Sequence, residues 1–171
     1  GSGAEAIIPR RRRESPPLPL VSVEKQPVAS SRPILRKIRH CESVLVAVKG
    51  YFGLRLADMA GRYRATVKTI EKPWGEWFSL EELEAALIEH KPAILALVHA
   101  ETSTGVCQPM EGVGDLCRKH NCLLLLDTVT SLGGVPLYID EWKVDLAYSC
   151  SQKGLSCPPG LGPFTMGPRA E

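Results

Sequence analysis

Aromatic rings are scarce in this sequence: three Phe, four Tyr and three Trp make up 6% of 171 residues. None falls within residues 1–40, where nine Lys and Arg meet three Glu for a net charge of +6. A basic arm of this kind could bind nucleic acid or a membrane surface, but without rings it lacks the base-stacking part of single-strand recognition, and nucleic acid is not the expected partner. The rest of the chain holds twelve Lys and Arg against sixteen Asp and Glu, a net of −4. Long apolar runs are missing too. No stretch approaches the roughly 20 apolar residues of a membrane-spanning helix, and no signal-peptide core is present, so a membrane is not expected either. No C-x-x-C pair occurs among Cys41, Cys107, Cys117, Cys122, Cys150 and Cys157. Their spacing fits no zinc pattern, and no metal site is expected. They read as buried or half-buried thiols in a reducing, intracellular compartment.

What is present divides into two textures. Residues 1–40 carry six prolines and the run "RRRRE". Proline removes a backbone donor and breaks helices and strands, so this segment is expected to be disordered, or a leader not native to the domain that follows. From residue 41 apolar and amphipathic stretches alternate. "SVLVAV" (43–48), "TVKTI" (66–70), "AILALV" (93–98), "CLLLLDTV" (122–129), "VDLAYSCS" (144–151) and "GPFTMG" (162–167) read as strands. "GLRLADMAGRYR" (53–64), "SLEELEAALIEH" (79–90) and "EGVGDLCRKH" (111–120) read as helices. The second opens with a capping box, Ser79 to Glu82, and offers Leu80, Leu83, Leu87 and Ile88 as its apolar face. Several strands are apolar on both faces. Strands of that kind, separated by helices, predict an α/β fold: a three-layer sandwich around a mostly parallel sheet.

In such sheets chemistry gathers at the carboxyl ends of the strands. Three of those ends carry functional groups. "HAETSTG" (99–105) supplies Thr102, Ser103 and Thr104; "CLLLL" is followed by Asp127; "VDLAYS" is followed by "CSQKG" with Lys153. Taken singly, each has an ordinary explanation. Asp127 could anchor a turn, Lys153 could be a solvated loop lysine, and the hydroxyls could cap a helix. His99 reads as a satisfied core or loop histidine, and Asp140 and Asp145 as loop or strand-edge charges. Together, a lysine at the edge of an apolar site and a fixed carboxylate suit pyridoxal phosphate. Desolvation lowers the amine's pKa and makes it nucleophilic toward an aldehyde, and the anion keeps the ring nitrogen protonated.

The motifs "ETSTG", "LLLLDTVTSLGG" and "SQKGLSCPPG" carry more than spacing. With the residues around them they closely resemble the alanine–glyoxylate (serine–pyruvate) aminotransferases, class V members of the fold-type I pyridoxal-phosphate enzymes. The resemblance covers about residues 41–171 and is strongest over 98–160. It implies that Lys153 forms the Schiff base with pyridoxal 5'-phosphate and that Asp127 pairs with the pyridine nitrogen. It places Val129 under the ring, the Thr102 hydroxyl near it, Gln152 near the phosphate, and Phe52 stacked on the ring. It further implies ping-pong transamination of alanine or serine with glyoxylate or pyruvate, a homodimer, and a peroxisomal or mitochondrial setting. The last residues, "PRAE", are no peroxisomal tripeptide.

Two features of the resembled family are not matched. One is a Ser-Gly-His loop that grips the phosphate at a helix N-terminus, of which "GSGA" is only a faint likeness. The other is a C-terminal small domain with an arginine for the substrate carboxylate. Residues 41–171 are therefore expected to be an incomplete large domain, with the small domain absent, as in a fragment, a spliced product or an imperfect gene prediction. Two other readings stand beside this one: another class V enzyme, such as a kynurenine-type transaminase, and a non-catalytic product that heterodimerises or aggregates through its open sheet.

Overall fold

A computed structural model describes residues 43–171; the leader expected over 1–40 lies outside the described residues. Six strands form one sheet: β1 (Ser43–Val48), β2 (Thr66–Glu71), β3 (Ile94–Val98), β4 (Leu123–Asp127), β5 (Leu146–Tyr148) and β6 (Phe164–Met166). Their order is β2-β1-β3-β4-β5-β6. The first five strands run parallel, and β6 returns antiparallel to β5. Helices α1 (Tyr51–Arg62), α2 (Leu80–His90) and α3 (Val113–Lys119) connect the first four strands.

The sheet has apolar cover on both faces because side chains of a strand alternate between them. Leu45, Leu95, Leu97, Leu124 and Leu126 point into one core, with Leu83 and Leu87 of α2 and Cys117 of α3. Val44, Val46, Ile94, Ala96, Leu125 and Leu146 point into the other, with Leu56 of α1. The result is the three-layer arrangement that doubly apolar strands require. Each fully buried leucine contributes about 1.5–3 kcal/mol over its exposed state.

Several boundaries differ from the sequence-based expectation, for identifiable reasons. The stretch 122–129 is strand only over Leu123–Asp127. Beyond it, the Val129 amide donates to the Asp127 side chain (2.8 Å) and the chain turns. The stretch 144–151 is strand only over Leu146–Tyr148. Ser149 and Ser151 instead donate to the carbonyls of Pro163 and Leu161 in the returning segment. Helix α1 begins at Tyr51 rather than residue 53 because acceptors far along the chain satisfy its first amides.

The capping box forms as expected: Ser79 Oγ accepts from the Glu82 amide (3.3 Å), and Glu82 Oε2 accepts from the Ser79 amide (2.8 Å). The buried stripe of α2 is Leu83, Ala86 and Leu87. Leu80 and Ile88, expected on that face, are exposed; Ile88 lies five residues past Leu83, off the three-and-four stripe. Ser79→Ala is expected to lower stability by about 1 kcal/mol, with no change in urea m-value. An unchanged urea midpoint would rule out a contribution from the box.

The cysteines divide more evenly than expected. Cys117 and Cys122 are buried and Cys150 is half-buried, but Cys107 and Cys157 are exposed. Cys41 lies outside the described residues. Asp145, expected as an edge charge, is buried; it accepts from the Leu124 amide (2.9 Å) and pairs with Arg169 (3.0 Å).

Candidate functional site

The register aligns Val98 with Asp127 and Asp127 with Tyr148. The carboxyl ends of β3, β4 and β5 therefore finish in one row, and the loops after them share one edge of the sheet. Asp127 is 7% exposed. Its Oδ1 accepts from the Val129 amide at 2.8 Å, and its Oδ2 accepts from the Tyr148 hydroxyl at 2.6 Å. Burial pushes its pKa above the usual carboxylate range; the Tyr148 and Val129 hydrogen bonds oppose that shift without cancelling it. The Tyr148 hydroxyl is pushed up in turn, by burial first and the neighbouring carboxylate second. Among the described residues, no Lys, Arg or His side chain forms an ion pair with Asp127. A buried carboxylate held by two neutral donors and facing no cation gains from one. A protonated ring nitrogen fits that requirement.

Lys153 and Gln152 lie in the loop after β5, and both are exposed. The desolvation expected to make Lys153 nucleophilic is therefore not supplied by the described residues. The backbone nevertheless carries this loop onto the one that follows Asp127. A Cβ on Gly154 would stand 2.4 Å from the Leu132 carbonyl oxygen, and one on Gly133 would stand 2.8 Å from the Gly154 carbonyl oxygen. Gly133 also has φ +83°, a conformation that only glycine adopts without strain. The two glycines, visible in "SLGG" and "QKGL", are what let the lysine loop and the aspartate loop touch. Gly154→Ala is expected to force these loops apart and to destabilise the chain by about 1–3 kcal/mol. Urea unfolding measures this, and a midpoint within error of the unsubstituted chain would contradict the contact.

The Thr102 hydroxyl bonds to that of Thr130, joining the loop after β3 to the loop after β4. Val129 is half-buried between Asp127 and Thr130. Phe52 is half-buried on the α1 face of the sheet, in the same apolar cluster as Tyr148 and Val98. Thus Thr102, Asp127 and Val129 share a connected set of loops, Phe52 approaches from α1, and Gln152 and Lys153 occupy a neighbouring loop with their side chains outward.

Three groups that sequence reasoning passed over prove central. Tyr148 is the hydroxyl on Asp127; its place opposite Asp127 depends on register, which the sequence does not display. Glu101 is completely buried, accepting from the amides of Phe52 and Gly53. Lys49 is completely buried and donates to the carbonyls of His99 (3.4 Å) and Val106 (3.2 Å). His99 is buried, as read from the sequence, and stacks edge-on with Trp142 at 5.3 Å, but its Nδ1 has no hydrogen-bond partner among the described residues, so it is not the fully satisfied core histidine expected. Burial, helped by nearby Lys49, lowers its pKa to about 4, so the ring is neutral at physiological pH.

This arrangement has counterparts among known proteins. Residues 32–168 match the family described as Aminotransferase class-V. The chain belongs to the class-V aminotransferases. Mouse alanine–glyoxylate aminotransferase is 42% identical over 155 residues, covering 91% of this chain and 37% of that protein. The (S)-ureidoglycine–glyoxylate transaminase of Bacillus subtilis (strain 168) is 40% identical over 128 residues, covering 75% of this chain and 31% of that protein. The crystal structure of alanine–glyoxylate aminotransferase from Nostoc sp. superposes with a TM-score of 0.77 and 64% identity, over 82% of this chain and 38% of that one. This class-V aminotransferase chain thus spans under two fifths of the length of each relative. Its mostly parallel six-stranded sheet with flanking helices is the fold of these aminotransferases, as the doubly apolar strands had led us to expect.

Proposed function

We propose that this chain is the cofactor-binding part of an alanine–glyoxylate-type aminotransferase that uses pyridoxal 5'-phosphate. The amino donor would be alanine or serine and the acceptor glyoxylate or pyruvate. The observation that carries the reading is Asp127: a buried carboxylate at a strand end, held by two neutral donors, without a cationic partner among the described residues. When bound, the pyridine ring supplies an electron sink for the charge that develops at the substrate α-carbon.

The chain's own residues do the rest. Asp127 holds the proton on the ring nitrogen. Phe52 and Val129 would provide apolar surfaces for the ring, and Thr102 a hydroxyl near it. Gln152 contributes an amide toward the phosphate. Lys153 would be the amine that holds the cofactor, and the same amine would serve as the base for the proton at the substrate α-carbon. An exposed Lys153 is accessible to an incoming aldehyde. The names of the relatives support the substrate class, and family kinship supports a homodimer. A peroxisomal or mitochondrial setting belongs to the same proposal.

The direct experiment is to add pyridoxal phosphate to the purified chain, reduce with borohydride, and map the pyridoxyl group by mass spectrometry. Selective modification of Lys153 supports the reading. Diffuse modification of surface lysines, at equal yield in Lys153→Ala, would overturn it for this chain.

A further inference from the structure

Helix α1 meets a carboxylate of its own chain at its amino end. Glu101 Oε1 accepts from the Phe52 amide at 3.3 Å, the Ser103 amide at 3.1 Å and the Ser103 hydroxyl at 2.6 Å. Its Oε2 accepts from the Gly53 amide at 3.3 Å. Ser103 Oγ in turn accepts from the Tyr51 amide at 2.9 Å. All three of the helix's first amides are therefore satisfied by a loop some 50 residues away in sequence. The room for this is made by Gly50, where a Cβ would stand 2.4 Å from Glu101 Cγ.

Lys49 secures the same loop from below through the carbonyls of His99 and Val106, and a bridge between Ala100 and Cys107 closes it. Residues 49–53 and 99–107 thus form one clasp. The clasp presents two of the side chains assigned to the cofactor: Phe52 on the helix side and Thr102 on the loop side. The Phe52 amide and the Ser103 amide, which follows Thr102, share a single oxygen of Glu101. The Ser103 hydroxyl bond at 2.6 Å is the short one; the amide bonds are longer, but several donors converge on one carboxylate, and a carboxylate at a helix N-terminus gains from the helix dipole as well.

We propose that Glu101 is a positioning residue that sets Phe52 and Thr102 relative to each other across the cofactor ring. This rests on the functional reading above. The carboxylate does not touch the cofactor; it acts through two backbone amides. A glutamine of the same size must turn an NH₂ group toward amides that themselves donate, so it cannot accept with both ends. The clasp would then loosen where the two ring contacts are held.

The test uses the full chain and the variants Glu101→Gln and Ser103→Ala, titrated with pyridoxal phosphate. Three quantities are read: Lys153 modification after borohydride, the cofactor dissociation constant, and circular dichroism in the cofactor absorption band. The last reports how asymmetrically the ring is held, which a purely structural role would leave unmoved. In Glu101→Gln, Lys153 is expected to remain the modified residue. The dissociation constant should rise about tenfold, and the dichroism per bound cofactor should fall. Ser103→Ala, a change at an exposed side chain, should shift both in the same direction by less. An unchanged constant and dichroism in Glu101→Gln would overturn the proposal. If that variant does not fold, an unchanged constant and dichroism in Ser103→Ala would overturn it. Failure to modify Lys153 in the unsubstituted chain would instead remove the functional reading, and this inference with it.

Discussion

Lys153→Ala is expected to abolish covalent capture of pyridoxal phosphate and to slow transamination by about 10²–10⁴-fold, the usual contribution of a positioned proton-transfer group. Stability should hardly change. The side chain is exposed, and no hydrogen bond or ion pair to its ammonium is found among the described residues. Substitutions at such positions stay within about 0.5 kcal/mol. The backbone contribution of Lys153, whose carbonyl accepts from the Ser156 amide at 2.9 Å, survives in alanine. The prediction therefore separates chemistry from folding: urea unfolding unchanged, borohydride trapping lost, single-turnover amino transfer nearly lost. Retained trapping at full yield would mean that another amine holds the cofactor. The buried Lys49 is the amine to examine then, because desolvation lowers its pKa.

Asp127→Asn should also slow the chemistry, through a lost charge rather than a lost amine. Asparagine keeps the shape, and its carbonyl oxygen can still accept from Val129 or Tyr148. What is lost is the negative charge. A preorganised charge of this kind is worth about 10²–10³ in rate, and the loss should appear in proton removal from the α-carbon, measured as the exchange rate of α-deuterated alanine. An unchanged exchange rate would deny Asp127 its role.

The stability consequence has a definite sign. Burial raises the folded-state pKa of Asp127 above its unfolded value. The folded state therefore binds more protons across that window. Stability contributed by this group falls as pH rises from the unfolded pKa through the folded one. Other carboxylates, such as Glu82 and Glu84, are shifted down by their Lys72 and Lys119 partners and act oppositely. The difference between variant and unsubstituted chain isolates Asp127. Asp127→Asn should gain on the unsubstituted chain as pH rises toward neutrality. A difference independent of pH would show that Asp127 is not desolvated.

Much of the architecture was legible before any coordinates. β3 is apolar at every position and β4 at every position before Asp127, which only a sheet covered on both sides tolerates. The capping box of α2 announced itself through Ser79 and Glu82, because capping is local chemistry between residues three apart. Asp127 could be nominated because it closes an apolar run, and Lys153 because it follows one. The element ends were less legible. β4 stops at Asp127 because its carboxylate takes the Val129 amide, and β5 stops at Tyr148 because Ser149 and Ser151 bond to a segment ten or more residues later. Nothing in a local window distinguishes those partners from continued strand. The apolar face of α2 was misread at Leu80 and Ile88, since hydrophobicity does not reveal which neighbour arrives to cover it.

The sequence by itself determined the layered α/β architecture, the strand-end place of Asp127, and the likeness to class-V aminotransferases. All three rest on residue type and spacing along the chain. The tertiary structure alone decided that Tyr148 faces Asp127, that Glu101 holds the amides of α1, that Lys49 is buried, and that Gly133 and Gly154 let two loops touch. Each of these depends on strand register or on contacts between residues about 20 to 50 apart, whose free energy exists only once the chain has closed on itself.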